Sequence, residues 1–213
     1  MRLKALGKER NLRAPIGCKL PSLMPYMINY RALFVVILLS LVLLSGCSGL
    51  LGEDPGEQAN QAIKNANASI SEHNRLFAEA RTTYTDAKQQ IESSDDPSQE
   101  KDRITKAKNS LEVARQRLKD AKEHLSTVDD LDVDPAVKEY ARLLSDAMDA
   151  QLAAEAKEVQ FYGILEEDPT LENNRERALD LLSDVGAGYR DAEESYAQAQ
   201  DLADSNPDLI GTE

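Results

Sequence analysis

Tryptophan is absent from the chain, and aromatic residues make up only 5% of its 213 positions. A core built with so few rings has to be aliphatic and alanine-rich, a composition that belongs to long helices. Cysteine occurs twice, as Cys18 and Cys47. The chain beyond residue 47 therefore has no pair to close a disulfide, and its stability has to come from packing. Net positive charge is missing as well. The formal net charge is −13, which repels nucleic acid and anionic lipid and argues against either as a partner. No His-Glu-x-x-His, phosphate-binding loop or Gly-x-Ser-x-Gly occurs, and Gly186-Ala187-Gly188 follows no strand pattern, so it is no dinucleotide loop. Without a recognisable catalytic constellation, an enzyme is not expected.

The one long apolar run decides where the rest of the chain resides. Ala32 to Leu44 is broken only by Ser40, follows Arg31 and leads into Ser45-Gly46-Cys47. A basic flank, a short apolar core and small residues before a cut make a secretory signal. Leu44-Ser45-Gly46-Cys47 resembles a lipobox, the signature of prokaryotic (archaeal or bacterial) membrane lipoproteins. The resemblance implies that the Cys47 thiol is lipidated and that a signal peptidase cuts before it. It also implies that the mature chain sits on the cell membrane, facing away from the cytoplasm. An uncleaved N-terminal transmembrane helix is the alternative. No charge occurs from Ala32 through Gly52, 52 − 31 = 21 residues, and about 20 apolar residues span a bilayer. The small residues from Ser45 to Gly52 thin that second half. Under either reading the Lys and Arg residues before the run place the C-terminal part outside.

This divides the chain into a signal segment over 1–46, a lipid-anchored linker over 47–56, a helical domain over 57–205 and a tail over 206–213. The segment before the run is long for a signal, and Met24 and Met27 are both plausible starts. Removing residues 1–46 takes away seven bases and one acid, so 25 − 7 = 18 basic and 38 − 1 = 37 acidic residues remain. The mature part carries 18 − 37 = −19.

Within the domain, apolar residues recur at three- and four-residue steps. Ile63, Ala66, Ile70, His73, Phe77, Ala80, Tyr84, Ala87 and Ile91 form one stripe, and Ile104, Ala107, Leu111, Ala114, Leu118, Ala121, Leu125 and Val128 a second. These are heptad seams with a large residue at one position and, in most layers, Ala at the other. A third stripe runs Val137, Ala141, Leu144, Met148, Leu152, Ala156, Val159, Tyr162, Leu165. A fourth runs Leu171, Ala178, Leu182, Val185, Tyr189, Ala192, Tyr196, Ala199, Ala203. Asp-Pro stands at 54–55, 96–97, 134–135 and 168–169. Asp suits an N-cap and Pro the first helical turn, so each pair predicts a helix start. Short connections force neighbours antiparallel. The expected fold is all-α: an elongated antiparallel four-helix up-down bundle with coiled-coil-like heptad packing and helices of about 30 residues. Loosely coupled hairpins are the alternative. Antiparallel pairing sets Ile70 against Leu118, Phe77 against Leu111, His73 against Ala114 and Leu152 against Val185.

Few residues offer chemistry. His73 is expected to fill space left by Ala114 rather than bind a metal, since His124 lies near the other end of its seam. Ferritin-like sites need Glu-x-x-His, but Ile70 and Ala121 stand three residues before the histidines. Asp130, Asp132 and Asp134 have a calcium-loop spacing, yet Pro135 stands where such a loop needs Gly and Ala141 where it needs Glu. A solvated acidic turn ending in an N-cap is expected there, with neither metal nor cofactor. Asn67-Ala68-Ser69 matches a glycosylation acceptor, but in mid-helix. Tyr140, Tyr162, Tyr189 and Tyr196 gather in the C-terminal pair, either as seam residues with wet hydroxyls or as a binding face.

The expected function is a lipid-anchored structural or protein-interaction module with a protein partner outside the cytoplasm. The alternative is a solute-binding sensor signalling through a partner, because residues 207–213 supply no second membrane segment. A sizeable apolar cavity between the helices would favour the sensor.

Overall fold

The computed structural model describes residues 54–93, 96–208 and 210. Four long helices occupy almost all of them: α1 (Pro55–Ser93), α2 (Lys101–Ser126), α3 (Pro135–Glu167) and α4 (Arg175–Ser205). They pack as an antiparallel four-helix bundle, with no strand among the described residues. At 39 residues, α1 is longer than its sequence pattern predicts and spans about 58 Å. It begins at Pro55, inside the segment expected to be linker. The Cys47 lipobox, Leu44 through Cys47, lies outside the described residues.

The Asp-Pro pairs act as expected at two of four places. The Asp54 carboxylate accepts from the Gly56 N–H at 2.9 Å, and that of Asp134 from the Ala136 N–H at 2.8 Å. Asp96 caps a single 3-10 turn (Pro97–Glu100), accepting from the Ser98 N–H, and α2 proper begins only after it. At Asp168-Pro169 the expectation fails. Asp168 ends α3, its N–H donating to the Ile164 carbonyl at 2.8 Å. Its carboxylate then accepts from the N–H groups of Glu172, Asn173 and Asn174 at 3.1, 2.9 and 3.1 Å. The chain makes a compact turn before α4 can start at Arg175. Leu171, expected in the helix, sits in this turn with φ of 56°. Burial of its side chain against the core offsets that left-handed backbone.

Side-chain burial reproduces the second stripe position for position and keeps most of the first and fourth. Ile70 and Leu118 lie in one cluster of core residues, and Phe77, half-buried, packs against the other, which holds Leu111. The second hairpin departs from its expected pairing. Gly188 stands against Ala154: a Cβ placed on it would lie 2.9 Å from the Ala154 Cβ. The expected register puts Ser183 there, so the helices are displaced by 188 − 183 = 5 residues. The middle of α3 accordingly buries Gln151, Ala154, Glu155 and Glu158, while Leu152, Ala156 and Val159 are only half-buried.

The apolar core thus falls into two main parts. One surrounds the end holding the start of α1 and the end of α4, and Ile210, beyond α4, packs into it. The other surrounds the far end, with Ile91, Ile104, Phe161 and Leu171. Between them lies a layer of polar groups.

Candidate functional site

Each helix has a reason to hold its part of that middle layer. His73 is on the α1 seam in place of an aliphatic residue and is 1% exposed. Gln151, Glu155, Glu158 and Tyr162 follow one another on α3 at steps of four, three and four, which keeps them on one face of the helix. Tyr189 and Tyr196 lie seven residues, two turns, apart on α4.

The layer has two linked centres. In the first, the His73 Nε2 lies 2.8 Å from the Glu155 Oε1, and its Nδ1 lies 3.0 Å from the Asn74 Oδ1. The Gln151 Nε2 donates to the same Glu155 oxygen at 3.0 Å and is 3.3 Å from the His73 Nε2. Tyr196 donates its hydroxyl to the Gln151 Oε1 at 2.9 Å. Glu155 is 0% exposed, and its second oxygen, Oε2, has no hydrogen-bond partner. In the second centre, the Glu158 carboxylate accepts from the Tyr162 hydroxyl at 2.8 Å and the Tyr189 hydroxyl at 2.7 Å. Arg81 reaches it from α1, its Nη2 donating at 3.2 Å and its Nε lying 3.1 Å from the other oxygen. The guanidinium lies over the rings of Phe77 and Tyr189, 4.9 and 5.5 Å from their centroids. Phe77 in turn stacks on His73 at 5.6 Å and meets Tyr189 edge-on.

Electrostatically the layer keeps its phenols neutral. Burial pushes the hydroxyls of Tyr84, Tyr162 and Tyr189 above the ordinary tyrosine range, and the negative charge of Glu158 pushes in the same direction. Burial, with Glu155 adding, does the same to Tyr196. Neutral phenols are the form that can donate to a carboxylate or an amide oxygen. Glu158, with two phenol donors and a guanidinium, is paired as a buried charge has to be. Glu155 is paired on one oxygen only.

His73 is therefore more than a filler opposite Ala114, and the hydroxyls of Tyr162, Tyr189 and Tyr196 are buried donors rather than wet ones. Tyr140 is buried near the α1 start, apart from this group. Sequence reasoning passed over Gln151, Glu155 and Glu158 because it followed apolar residues alone. Their four-three-four spacing, continued by Tyr162, was the signal available. Asp130 and Asp132 are exposed on the turn between α2 and α3; Asp134 serves as the α3 cap, and the backbone oxygen of Asp129 accepts from the Lys138 ammonium at 2.7 Å. Asn67 lies within α1.

Room for an organic ligand is small where the site's aromatic residues continue into the far half of the core. A largely enclosed apolar pocket lined by Tyr84, Ile91, Phe161, Leu165 and Leu171 holds about 20 Å³, space for a water molecule. A larger hollow of about 500 Å³, bordered by Leu76, Glu79, Lys106 and Val113, is an open groove on the outer face of the α1–α2 hairpin. In comparisons with protein-family models, curated proteins and solved structures, nothing matches this chain.

Proposed function

We propose that the chain is a lipid-anchored, extracytoplasmic helical bundle that serves as a structural or protein-interaction module. The supporting observation is the way the bundle interior is filled. Alanine layers bring α1 and α2 close together, and at mid-height the space between the two hairpins is taken, among the described residues, by hydrogen-bonded side chains. A sensor for organic solutes would need a few hundred Å³ of largely enclosed volume, against about 20 Å³ in the enclosed pocket described above. What the bundle offers a partner is its exterior: long, rigid and acidic, with the apolar residues Leu76 and Val113 along the α1–α2 groove.

The address rests on the lipobox resemblance. No helix among the described residues is long and apolar enough to cross a membrane, and the lipobox lies before residue 54. Cys47→Ala should abolish both processing and incorporation of labelled lipid, as followed by gel mobility and metabolic labelling. A variant that still matures and still takes up lipid would sink the anchor. The partner is sought by crosslinking in native membranes followed by mass spectrometry. Reproducible crosslinks from the groove or the far end of the bundle to one protein support the interaction module; crosslinks only to abundant bystanders, spread evenly over the surface, count against it.

A further inference from the structure

The first polar centre has the dimensions of a metal-ion seat. His73 Nε2, Glu155 Oε1 and the amide end of Gln151 form a triangle with edges of 2.8, 3.0 and 3.3 Å. Nitrogen and oxygen ligands held about 2.0–2.2 Å from one ion are themselves roughly 3 Å apart, so such a triangle is one face of a coordination shell. Turning the Gln151 amide over exchanges its nitrogen and oxygen in place and presents the oxygen to that face. The Tyr196 oxygen can then accept from the amide nitrogen, at the cost of the hydrogen bond its hydroxyl donates to Gln151, a cost the ion has to offset.

Two further observations point to an ion. The second carboxylate oxygen of Glu155 is buried without a partner, and an unpaired buried carboxylate oxygen is costly unless something neutralises it. The His73 Nδ1 faces the Asn74 side-chain oxygen at 3.0 Å. That is the arrangement by which a metal-bound imidazole is held in the correct tautomer, its other ring N–H donated to a carbonyl. We propose that His73, Glu155 and Gln151 bind a divalent first-row transition ion between α1 and α3. Imidazole, carboxylate and amide oxygen suit such an ion better than Ca²⁺ or Mg²⁺, whose preference is for oxygen alone. Among the described residues no three His, Cys, Asp or Glu side chains converge; here the third donor is an amide. The ion would tie the first hairpin to the second at mid-height. This goes beyond the interaction module and does not depend on the anchor.

The test uses the untagged chain with any free cysteine alkylated, titrated with Co²⁺ and followed by its visible absorption. One saturable site is expected, unchanged in His124→Gln and lost in both His73→Phe and Glu155→Gln. Asn74→Ala, which removes only the orienting oxygen, should weaken it by about 10–100-fold. Zn²⁺ should raise the melting temperature where equal Mg²⁺ does not. Absence of a saturable site, or a site that survives His73→Phe, overturns the proposal. Should the two core variants fail to fold, X-ray absorption of Co²⁺-loaded His124→Gln protein decides, because His73 is then the sole remaining histidine. One imidazole nitrogen in the shell upholds the proposal, and a shell of oxygens alone overturns it.

Discussion

Gly186 and Gly188 lie two positions apart on one helix and have opposite requirements. Both lower helix propensity, by about 1 kcal/mol each relative to Ala. A Cβ on Gly186 would meet nothing closer than the end of the Arg190 side chain at 3.6 Å. Gly186→Ala should therefore raise stability by about 0.4–1 kcal/mol. At Gly188 the same Cβ would press on the Ala154 Cβ at 2.9 Å and on the α3 backbone behind it, neither of which can swing away. Overpacking costs about 1–3 kcal/mol and exceeds the gain in propensity. Gly188→Ala should lower the denaturation midpoint, and urea titration of the two variants side by side checks both signs.

At the scale of elements, the α3–α4 turn depends on one carboxylate. Burial works to raise the Asp168 pKa, but the hydrogen bonds from Asn173, Glu172 and Asn174 outweigh it and hold the group below its ordinary 3.8. A depressed carboxylate contributes stability that is present above its unfolded pKa and is lost as pH falls through the folded value. Asp168→Ala should cost about 1 kcal/mol at neutral pH, by analogy with the loss of a helix cap. The gap between variant and native melting temperatures should close in strong acid. A gap that persists there would mean that the side chain acts by packing rather than by charge.

How far these elements could be read from sequence depends on what they bury. The α1 and α2 seams use Ile, Leu and Ala, so apolar spacing alone locates them and pairs Ile70 with Leu118. In the middle of α3 the buried face is Gln151, Ala154, Glu155 and Glu158. A polar residue is assigned to solvent unless its partner is known, and the partners, His73, Arg81, Tyr189 and Tyr196, lie on other helices. The five-residue error in the second hairpin follows directly, since its pairing was set by apolar residues alone, among them Leu152 and Val159, which are only half-buried. Asp168 misled for another reason. Asp-Pro is equally compatible with a helix start and with a turn, and only Leu171's anchorage in the core decides between them.

For the molecule as a whole, the tyrosines report on integrity at high pH. Seven occur in the chain, and four of them, Tyr84, Tyr162, Tyr189 and Tyr196, are held neutral by burial. Because their folded pKa values are raised, their contribution to stability is full below the unfolded value of 10.0 and is lost as pH rises above it. The phenolate absorbance of these four should appear only together with loss of helical circular dichroism. If Tyr84, Tyr162, Tyr189 and Tyr196 ionise near pH 10 with the helices intact, the buried layer does not exist as described.

The polar layer also has a mechanical consequence. A load applied between the end of the bundle that holds the start of α1 and its far end would act along the helix axes. Smooth alanine and leucine seams resist such sliding weakly, since shifting by one heptad replaces each contact with a similar one. His73 on Glu155 has no equivalent one heptad away, since Ala66 and Ala80 stand there on α1, so the pair works as a key in a slot. Slippage between α1 and α3 has to break the His73–Glu155 pair together with the contact of Arg81 with Glu158, so the layer should oppose axial sliding of one hairpin past the other.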